Sequence, residues 1–431
     1  MTTHYQEILD EMFGLCRFGI VLGLDTISRI MADLDNPQEQ FAAIHVAGTN
    51  GKGSIASALA AILRAAGYTV GLYTSPHLVR FNERIQVNGT PISDKAVVAA
   101  YQRVRGVAEG ERQPTFFEYT TAMALYEFAR RKVDWAVVET GMGGRMDATN
   151  ILAPEVTIIT NISLEHQTYL GYTLGAIAHE KAGIIKPGVP LITGVKQPRA
   201  RQVIHEAADA NQAPLYQYGR DFRVRRRANG TFNYYGISHN WPDLRTALNG
   251  PHQVQNAALV AASCEQLMAR DHQLDLPEVR QGLATHVWPG RLEKVCDAPL
   301  VILDGAHNRA AAQQLGLYLD SRMDDRKVTL VVGILDDKPY EYMLSRWLPA
   351  CHRVIVTQPR INRALPPEIL AKIAKQHTHR VEIVPSVAAA VKQAYQTTSP
   401  QDAICVAGSL YVVGEARHEM AQWEQIKLSA P

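Results

Sequence analysis

Residues 45–54 read HVAGTNGKGS and join a short apolar run, residues 41–47, to an alanine-rich run, residues 54–66. The apolar run predicts a buried strand, and the alanine-rich run predicts a helix that ends at Gly67. Glycines between the two runs let the backbone turn so that successive N–H groups point at an anion, and the helix N-terminus adds its positive end. The segment therefore predicts a phosphate-binding loop between a strand and a helix.

The lysine and the hydroxyl residues of this loop indicate which phosphate compound it binds. Lys52 supplies a mobile positive charge for the β- and γ-phosphates of a nucleotide. The spacing departs from the usual GxxxxGK[ST] pattern, because Val46 stands where the first glycine belongs and Gly53 separates Lys52 from Ser54. A glycine-rich helix cap with a surface lysine is the alternative. The density of glycine, lysine and serine favours ATP binding through Gly48, Thr49, Asn50, Gly51, Lys52, Gly53 and Ser54.

Strand-like and helix-like runs alternate on both sides of the loop, which predicts an α/β fold. Residues 1–293 are predicted to form a P-loop-type domain with a mostly parallel sheet. The alternating stretch 223–235 contains Asn229-Gly230, a hairpin signal, and so predicts a small antiparallel element within it. Residues 294–431 predict a smaller, Rossmann-like α/β C-terminal domain with strands at 299–305, 327–333, 353–358, 381–385 and 403–408.

Composition excludes several functional classes. The chain has 431 residues, of which 46% are hydrophobic and 20% are charged, and its formal net charge is +2. This balance requires neither nucleic acid nor an anionic membrane as a partner. Without a membrane-spanning apolar run or a signal-like N-terminus, the chain is expected to be cytoplasmic. Five cysteines without metal-ligand spacing are expected to be reduced core thiols: Cys16, Cys264, Cys296, Cys351 and Cys405.

The variant loop GTNGKGS resembles that of the Mur ligase superfamily and, in this form, that of the folylpolyglutamate synthases and dihydrofolate synthases. The similarity continues in order through YTSPHLVRFNERI (73–85), FFEYTTA (116–122), ETGMGGRMDATN (139–150), EKAGIIKPG (180–188), GPHQVQNA (250–257), PGRLE (289–293), DGAHN (304–308) and GSLYVVGEAR (408–417). Several of these motifs are long, so chance agreement does not explain them.

The resemblance implies an ATP-dependent carboxylate–amine ligase that acts as a monomer on small molecules. It would add L-glutamate to tetrahydrofolate, and also to dihydropteroate, through an acyl phosphate. The alternatives are folylpolyglutamate synthesis alone, or another ligase of the superfamily that extends a cell-wall UDP-sugar peptide. That second ligase needs a UDP-binding domain before the loop, which begins at residue 45. A non-catalytic nucleotide switch is a further alternative, but it leaves Glu139, His166 and Lys181 without a role.

Two magnesium sites are implied by the resemblance. Glu139 follows a predicted strand at the sheet edge where ligands gather, and Ser75 ends another. The resemblance assigns one Mg²⁺ to Ser75 and Glu139, and a second to Glu139, His166 and a carbamylated Lys181. Taken alone, His166 reads as a solvated histidine, and Lys181 as a helix-face lysine paired with Glu180 or Glu206. The family commonly has Asp before this histidine, whereas this chain has Glu165.

The remaining site residues also come from the resemblance. Arg291 and Asp304 would bind ATP, Asn256 its base, His307 would lie near the reacting groups, and Ser409 would receive glutamate. Arg291, Asp304 and His307 are expected to meet at a cleft that faces the phosphate loop. The alternatives are interface salt bridges or caps, including an N-cap for Ser409. The pterin end is assigned to Thr115, Phe117, Asp147 and Ala148, although core packing explains Phe117 equally well.

Overall fold

The computed structural model describes residues 3–15, 19, 21–110, 112–269, 273–323 and 325–423. They divide into two compact units. The second unit begins at Val287 and also takes in residues 78–80 and 248–252, and the first unit contains the other described residues before Val287. This division lies a few residues before the predicted domain border at 293/294.

Helices and strands alternate along most of the described chain. The helices are α1 (Thr3–Gly14), α2 (Asp25–Ala32), α3 (Lys52–Ala65), α4 (Asp94–Arg105), α5 (Phe116–Arg130), α6 (Gln167–Leu170), α7 (Leu174–Ala182), α8 (Pro198–Ala210), α9 (Pro251–Met268), α10 (Leu276–Thr285), α11 (Arg309–Arg322), α12 (Tyr340–Trp347), α13 (Pro367–Ala374), α14 (Val387–Thr397) and α15 (Leu410–Met420). The strands are β1 (Ala42–Ala47), β2 (Val70–Tyr73), β3 (Ile85–Val87), β4 (Thr90–Pro91), β5 (Trp135–Glu139), β6 (Val156–Ile159), β7 (Leu191–Thr193), β8 (Leu215–Gln217), β9 (Arg223–Arg226), β10 (Phe232–Tyr235), β11 (Asn240–Leu244), β12 (Glu293–Asp297), β13 (Leu300–Asp304), β14 (Val328–Val332), β15 (Cys351–Gln358), β16 (Val381–Ser386) and β17 (Ala403–Ala407).

The first unit is built on an eight-stranded sheet in the order β4-β3-β2-β5-β1-β6-β7-β8. The strands from β2 to β8 along this order run parallel, whereas β3 pairs antiparallel with β2 and β4 with β3. Strand β1 is central and almost wholly buried, as expected for an apolar strand covered on both faces. Because β2, β5, β1 and β6 are parallel, the loops that follow them lie at one edge of the sheet.

Helix α3 is buried along nearly its whole length, which explains its alanine-rich sequence. It packs closely on α10, where a Cβ added at Gly282 would lie 2.5 Å from the backbone nitrogen of Ile62. Small side chains are needed at such a close helix contact. The helix begins at Lys52, directly after Gly51, so its N-terminus forms part of the predicted phosphate loop.

The antiparallel element is confirmed as a three-stranded sheet in the order β11-β10-β9. Strands β9 and β10 form the hairpin around Asn229-Gly230, with Phe232 opposite Arg226. The third strand, β11, was not predicted because its sequence, NWPDL, contains proline and aspartate, which are depleted in strands. The buried rings of Phe232 and Tyr234 join the sheet to the core around α3 and α9.

The second unit contains a six-stranded sheet in the order β12-β13-β17-β14-β15-β16. All its strands run parallel except β12, which pairs antiparallel with β13. The five strands from β13 to β17 match the predicted runs, whereas β12 was not predicted. Together the two sheets confirm the predicted α/β fold class.

The cysteine prediction holds in part. Cys264 and Cys405 are buried, and Cys351 is half-buried with a thiol whose pKa burial raises to about 12. Cys296 is half-buried on the edge strand β12 and packs against a hydrophobic core cluster of the second unit. Cys16 lies outside the described residues. Within the described part of the chain, no helix combines the length and apolar character needed to cross a membrane.

Candidate active site

The phosphate loop needs glycine at two positions. Gly48 has φ +144° and Gly51 has φ +88°, in the region that side chains with a Cβ rarely adopt. A Cβ at Gly48 would lie 1.9 Å from Oγ1 of Thr160, and one at Gly51 would lie 2.8 Å from Oδ1 of Asn256. Both the backbone conformation and the close neighbours therefore exclude larger residues.

Gly48→Ala is expected to weaken ATP binding about 10- to 100-fold, because relieving the strained φ and the contact with Thr160 costs about 1–3 kcal/mol of loop distortion. Isothermal titration with a non-hydrolysable ATP analogue measures the change. Gly106→Ala is the matched control, since Gly106 has an ordinary helical φ of −62° and only van der Waals neighbours. Equal affinities in the two variants would show that the loop does not need this conformation.

Two residues missed by the sequence analysis hold the loop in place. Asn161 accepts a hydrogen bond from the backbone N–H of Asn50 at 3.0 Å and donates one to its carbonyl at 2.7 Å. The hydroxyl of Thr160 donates to the same carbonyl at 2.7 Å. Both residues directly follow β6 at the carboxyl edge of the sheet. That placement was the available signal, since strand ends at this edge commonly serve the ligand site.

Lys52 folds back over the loop. Its Nζ donates to the carbonyl of Gly48 at 3.1 Å and lies 3.7 Å from Oε1 of Glu139. Only 14% of its side chain is exposed. The ammonium therefore lies at the carboxyl edge of the sheet, between the phosphate loop and the end of β5, where it can neutralise the charge of a bound phosphate.

Ser75 and Glu139 lie together, as predicted from the ends of β2 and β5. The backbone N–H of Ser75 donates to Oε2 of Glu139 at 3.3 Å, and Glu139 is buried. A carboxylate and a hydroxyl are hard oxygen donors of the kind that Mg²⁺ prefers. Among the described residues no group of three or more His, Cys, Asp or Glu side chains forms a metal cage. The pair therefore fits a magnesium ion, which would take its other ligands from water and phosphate oxygens.

Lys181 is buried beside the phosphate loop. Its Nζ lies 2.8 Å from Oε1 of Glu165 and donates to the carbonyl of Gly48 at 2.9 Å. Glu180 instead pairs with Arg145 at 2.9 Å, and Glu206 accepts from Gln202. The alternative that paired Lys181 with Glu180 or Glu206 is therefore wrong. The partner of Lys181 is Glu165, the residue that stands where the family commonly has Asp.

The protonation of this pair is set by burial and by a second lysine. Burial lowers the pKa of Lys181, and nearby Lys52 lowers it further, whereas Glu165 opposes both. Burial alone would raise the pKa of Glu165, but Lys181 and Lys52 bring it below its usual value. A lowered lysine pKa increases the fraction of neutral amine, which is the form that reacts with CO₂.

His166 is exposed and precedes the short helix α6 with a left-handed φ of +44°. It lies within electrostatic range of Glu165, whose pKa it helps to lower. The structure thus brings His166 and Lys181 to the same carboxylate, while Glu139 contacts Lys52 and Ser75. Glu139 and Lys181 thus lie at the phosphate loop, and His166 lies next to Glu165, the partner of Lys181.

The predicted pterin residues surround the start of α5 and the loop after β5. Thr115 caps α5, and its hydroxyl donates to Glu118 at 2.8 Å. The half-buried ring of Phe117 lies 6.0 Å from that of Tyr73 and covers Gly141, where a Cβ would be 2.4 Å from it. One side of this ring therefore packs in the core, as the alternative interpretation expected.

Asp147 fastens the loop that follows β5. Its buried carboxylate accepts hydrogen bonds from the backbone N–H of Met142 at 2.8 Å and of Thr149 at 3.0 Å. Burial raises its pKa, and these hydrogen bonds oppose that effect. Ala148 is buried beside it. Asp147 and Ala148 therefore shape the loop, in addition to any contact with a substrate.

In the second unit, Arg291, Asp304 and His307 lie on two neighbouring turns. Asp304 is buried and accepts from the backbone N–H groups of Leu292 at 2.8 Å and Ala306 at 2.9 Å. Burial raises the pKa of Asp304, and the Arg291 guanidinium opposes this. His307 bonds through Nδ1 to the carbonyl of Gly305 at 2.7 Å. The predicted grouping of these residues is present within this unit.

Two further predicted residues have structural partners. Ser409 is buried, and its hydroxyl accepts from the N–H of Val412 at 3.1 Å, so it is the N-cap of α15. Asn256 belongs to the first unit, lies against Gly51 and donates to Gln253 at 2.9 Å. The N-cap interpretation of Ser409 is confirmed, and Asn256 is placed at the phosphate loop.

Comparison with known proteins identifies the family. The Mur ligase middle domain matches residues 46–264, and the Mur ligase, glutamate ligase domain matches residues 290–410. The dihydrofolate synthase/folylpolyglutamate synthase of Bacillus subtilis is 41% identical over 367 residues, covering 82% of this chain and 85% of its own. The chain belongs to the folylpolyglutamate synthase/dihydrofolate synthase family of Mur ligases. This ligase is therefore an ATP-dependent carboxylate–amine ligase, as the sequence predicted.

Solved structures agree with this assignment. FolC of Escherichia coli, in complex with DHPP and ADP, is 29% identical with a TM-score of 0.89, covering 97% of this ligase and 98% of FolC. The bifunctional folylpolyglutamate synthase/dihydrofolate synthase of Yersinia pestis, with Mn, AMPPNP and L-glutamate bound, is 32% identical with a TM-score of 0.86. That likeness covers 97% of this ligase and 98% of the Yersinia chain. The fold of this ligase is thus shared over nearly the whole chain.

Proposed function

We propose that this ligase adds L-glutamate to dihydropteroate and to tetrahydrofolate, at the expense of ATP. The observation that carries the proposal is the gathering of Lys52, Glu139 and Lys181 around one phosphate loop, with the 115–148 segment beside it. Relatives that carry both activities in their names, and complexes with DHPP, with an ATP analogue and with L-glutamate, support it. The proposed reactants are small molecules, and the ligase is proposed to act as a cytoplasmic monomer.

The reaction has two chemical steps. An acceptor carboxylate attacks the γ-phosphorus of ATP, and the bond from this phosphorus to the bridging oxygen breaks to give an acyl phosphate and ADP. The α-amine of glutamate then attacks the acyl carbon, phosphate leaves, and the amine loses a proton to give the amide. Phosphoryl transfer depends chiefly on positioning and charge neutralisation. Lys52 and the backbone N–H groups of the first turn of α3 supply both.

The proposed residue roles are those that the resemblance to the family implies. Ser75 and Glu139 would hold one magnesium ion, and Glu139, His166 and carbamylated Lys181 would hold the second. Bound magnesium supplies charge neutralisation at the terminal phosphates. In the carbamylation, the neutral Lys181 amine adds to CO₂ and releases a proton. The product is an anion beside Glu165, so nearby cations are needed to stabilise it.

The other proposed contacts lie farther along the chain. Asn256 binds the base of ATP, and Arg291 and Asp304 bind the nucleotide, with His307 near the reacting groups. Ser409 receives glutamate in addition to capping α15. The pterin end is bound by Thr115, Phe117, Asp147 and Ala148. The proposed domains are an ATP-binding domain, 1–293, and a glutamate-ligase domain, 294–431.

Carbamylation predicts a resolvable signal. With ¹³C-bicarbonate, magnesium and an ATP analogue, the ligase is expected to give a ¹³C NMR carbamate resonance that Lys181→Met abolishes. Lys186→Met is the matched control, because burial also lowers the pKa of Lys186 while its Nζ bonds to the Asn150 carbonyl at 2.8 Å. Full activity under CO₂-free conditions with no resonance in the unmodified protein would contradict the carbamate.

Product mass spectrometry tests the proposed function. Incubation with ATP, L-glutamate and either dihydropteroate or tetrahydrofolate is expected to give a glutamylated product in each case. Product from tetrahydrofolate alone would support the single-activity alternative. ATP hydrolysis that continues at the same rate without any folate, and without an amide product, would refute the ligase assignment.

A further inference from the structure

A buried chain of hydrogen bonds joins the strand before the phosphate loop to the loop after β5. His45 lies on β1 and is fully buried. Its Nε2 is 2.8 Å from Oγ1 of Thr149, whose hydroxyl donates to Oδ1 of Asp147 at 2.5 Å. Asp147 in turn accepts from the backbone of Met142. The imidazole therefore touches, through a single hydroxyl, the carboxylate that shapes the 141–147 loop.

The direction of this chain follows from its donors and acceptors. Asp147 receives hydrogen bonds from backbone N–H groups of residues 141, 142 and 149 as well as from Thr149 Oγ1. Since all of these neighbours donate, the carboxylate acts as an acceptor only, and the Thr149 proton points at Asp147. The Thr149 oxygen must then accept from His45, which fixes the proton of the imidazole on Nε2.

The second ring nitrogen distinguishes His45 from an ordinary core residue. Its Nδ1 is buried and has no hydrogen-bond partner among the described residues. A buried polar atom without a partner costs about 1–3 kcal/mol, which an apolar side chain of similar size would avoid. Burial, aided by Lys186, lowers the pKa of His45 to about 3, so the ring is neutral and has one N–H to donate. This N–H is the group through which His45 contacts Thr149.

We propose that His45 is a positioning residue for the pterin acceptor: by orienting the Thr149 hydroxyl, it holds Asp147 and the 141–147 loop in their acceptor-binding arrangement. The inference rests on the proposed function, because Asp147 and Ala148 are proposed pterin contacts. His45 lies on β1, three residues before Gly48 of the phosphate loop. The hydrogen bonds therefore fix the position of the 141–147 loop relative to β1, the strand that leads into the phosphate loop.

Matched variants separate positioning from packing. Thr149→Val removes the hydroxyl at nearly constant shape, and His45→Leu removes the N–H donor. Each is expected to raise the KM for dihydropteroate about tenfold, with the KM for ATP changed less than about twofold. Thr149→Ser restores the hydroxyl and His45→Gln restores an N–H at the end of the side chain. Both are expected to stay within about threefold of the unmodified KM for dihydropteroate.

The double variant His45→Leu/Thr149→Val supplies the coupling test. Because both changes break one chain, its KM is expected to equal that of the worse single variant rather than the product of the two effects. Multiplying effects, or equal rises in the KM values for ATP and dihydropteroate, would overturn the inference. If His45→Leu fails to fold, His45→Phe, which also lacks the N–H donor, replaces it in the single and the double variant. Product formation by the unmodified ligase tests the proposed function separately. If tetrahydrofolate is the acceptor that it uses, tetrahydrofolate replaces dihydropteroate in every measurement.

Discussion

Lys52→Ala is expected to lower ATP-dependent glutamylation about a thousandfold, because it removes a mobile positive charge from the phosphate loop. The Lys52 ammonium lies 3.1 Å from the Gly48 carbonyl and 3.7 Å from Oε1 of Glu139, at the carboxyl edge of the sheet. Phosphoryl transfer depends on charge neutralisation at the terminal phosphates. Initial rates of phosphate release and of glutamylated product measure the loss.

Two controls make this result specific to Lys52. Lys95→Ala removes the same charge from the exposed face of α4 and is expected to keep full activity. Thermal unfolding of Lys52→Ala establishes that the variant is folded. A folded Lys52→Ala protein that glutamylates at the unmodified rate would remove the basis for the phosphate-loop assignment.

The first unit is expected to lose about 2–4 kcal/mol of its free energy of unfolding between pH 6.5 and pH 5, because His45 and His77 are among its histidines that burial keeps neutral. Burial and Lys186 lower the pKa of His45 to about 3. Burial and Arg84 lower that of His77 to about 3, and Arg84 Nε donates to His77 Nδ1 at 2.8 Å, which requires an unprotonated nitrogen.

The sign follows from proton uptake by the unfolded chain. Above pH 6.5 neither state binds a proton at these rings, so stability does not depend on them. Below pH 6.5 the histidine binds a proton in the unfolded chain but not in the folded protein. Each fully buried histidine therefore lowers the free energy of unfolding by about 1.4 kcal/mol per pH unit down to pH 3. The half-buried His77 contributes less than His45.

Urea unfolding at pH 7, 6 and 5 measures this loss. His45→Gln is expected to flatten the pH dependence by about 1.4 kcal/mol per unit, since glutamine does not titrate. His179→Gln, at an exposed position of α7, leaves both of the other rings in place and is expected to keep the steep dependence. Equal slopes for His45→Gln and the unmodified ligase would show that His45 is not held neutral.

Much of the fold follows from local sequence patterns. Residues 41–47 predicted β1, residues 54–66 predicted most of α3, and Asn229-Gly230 predicted the β9–β10 hairpin. These elements are long or carry a turn residue with a defined backbone requirement. The strands β11 and β12 were missed because their short, polar sequences pair only with a strand already in place.

The candidate site was predicted unevenly. The phosphate loop came from glycine spacing, and the placement of Ser75 and Glu139 came from strand ends, which local sequence shows directly. The metal role of Ser75 and Glu139 came from the resemblance to the family. Three sets of contacts join residues far apart in sequence. They are the ion pair of Lys181 with Glu165, the hydrogen bonds from Thr160 and Asn161 to Asn50, and the hydrogen bond between His45 and Thr149. Such contacts depend on which strands are neighbours in the sheet, and no single segment of the sequence determines that strand order.

The sequence by itself determined the family, the glycine-rich turn and the residue types available at each strand end, because these depend on local backbone and side-chain chemistry. Only the tertiary structure decided which charges meet. The order β2-β5-β1-β6 brings Ser75, Glu139 and Asn161 to one sheet edge, and packing of α7 buries Lys181 beside Gly48. Burial then sets protonation, since a charge removed from water is stabilised only by the partners that the fold supplies.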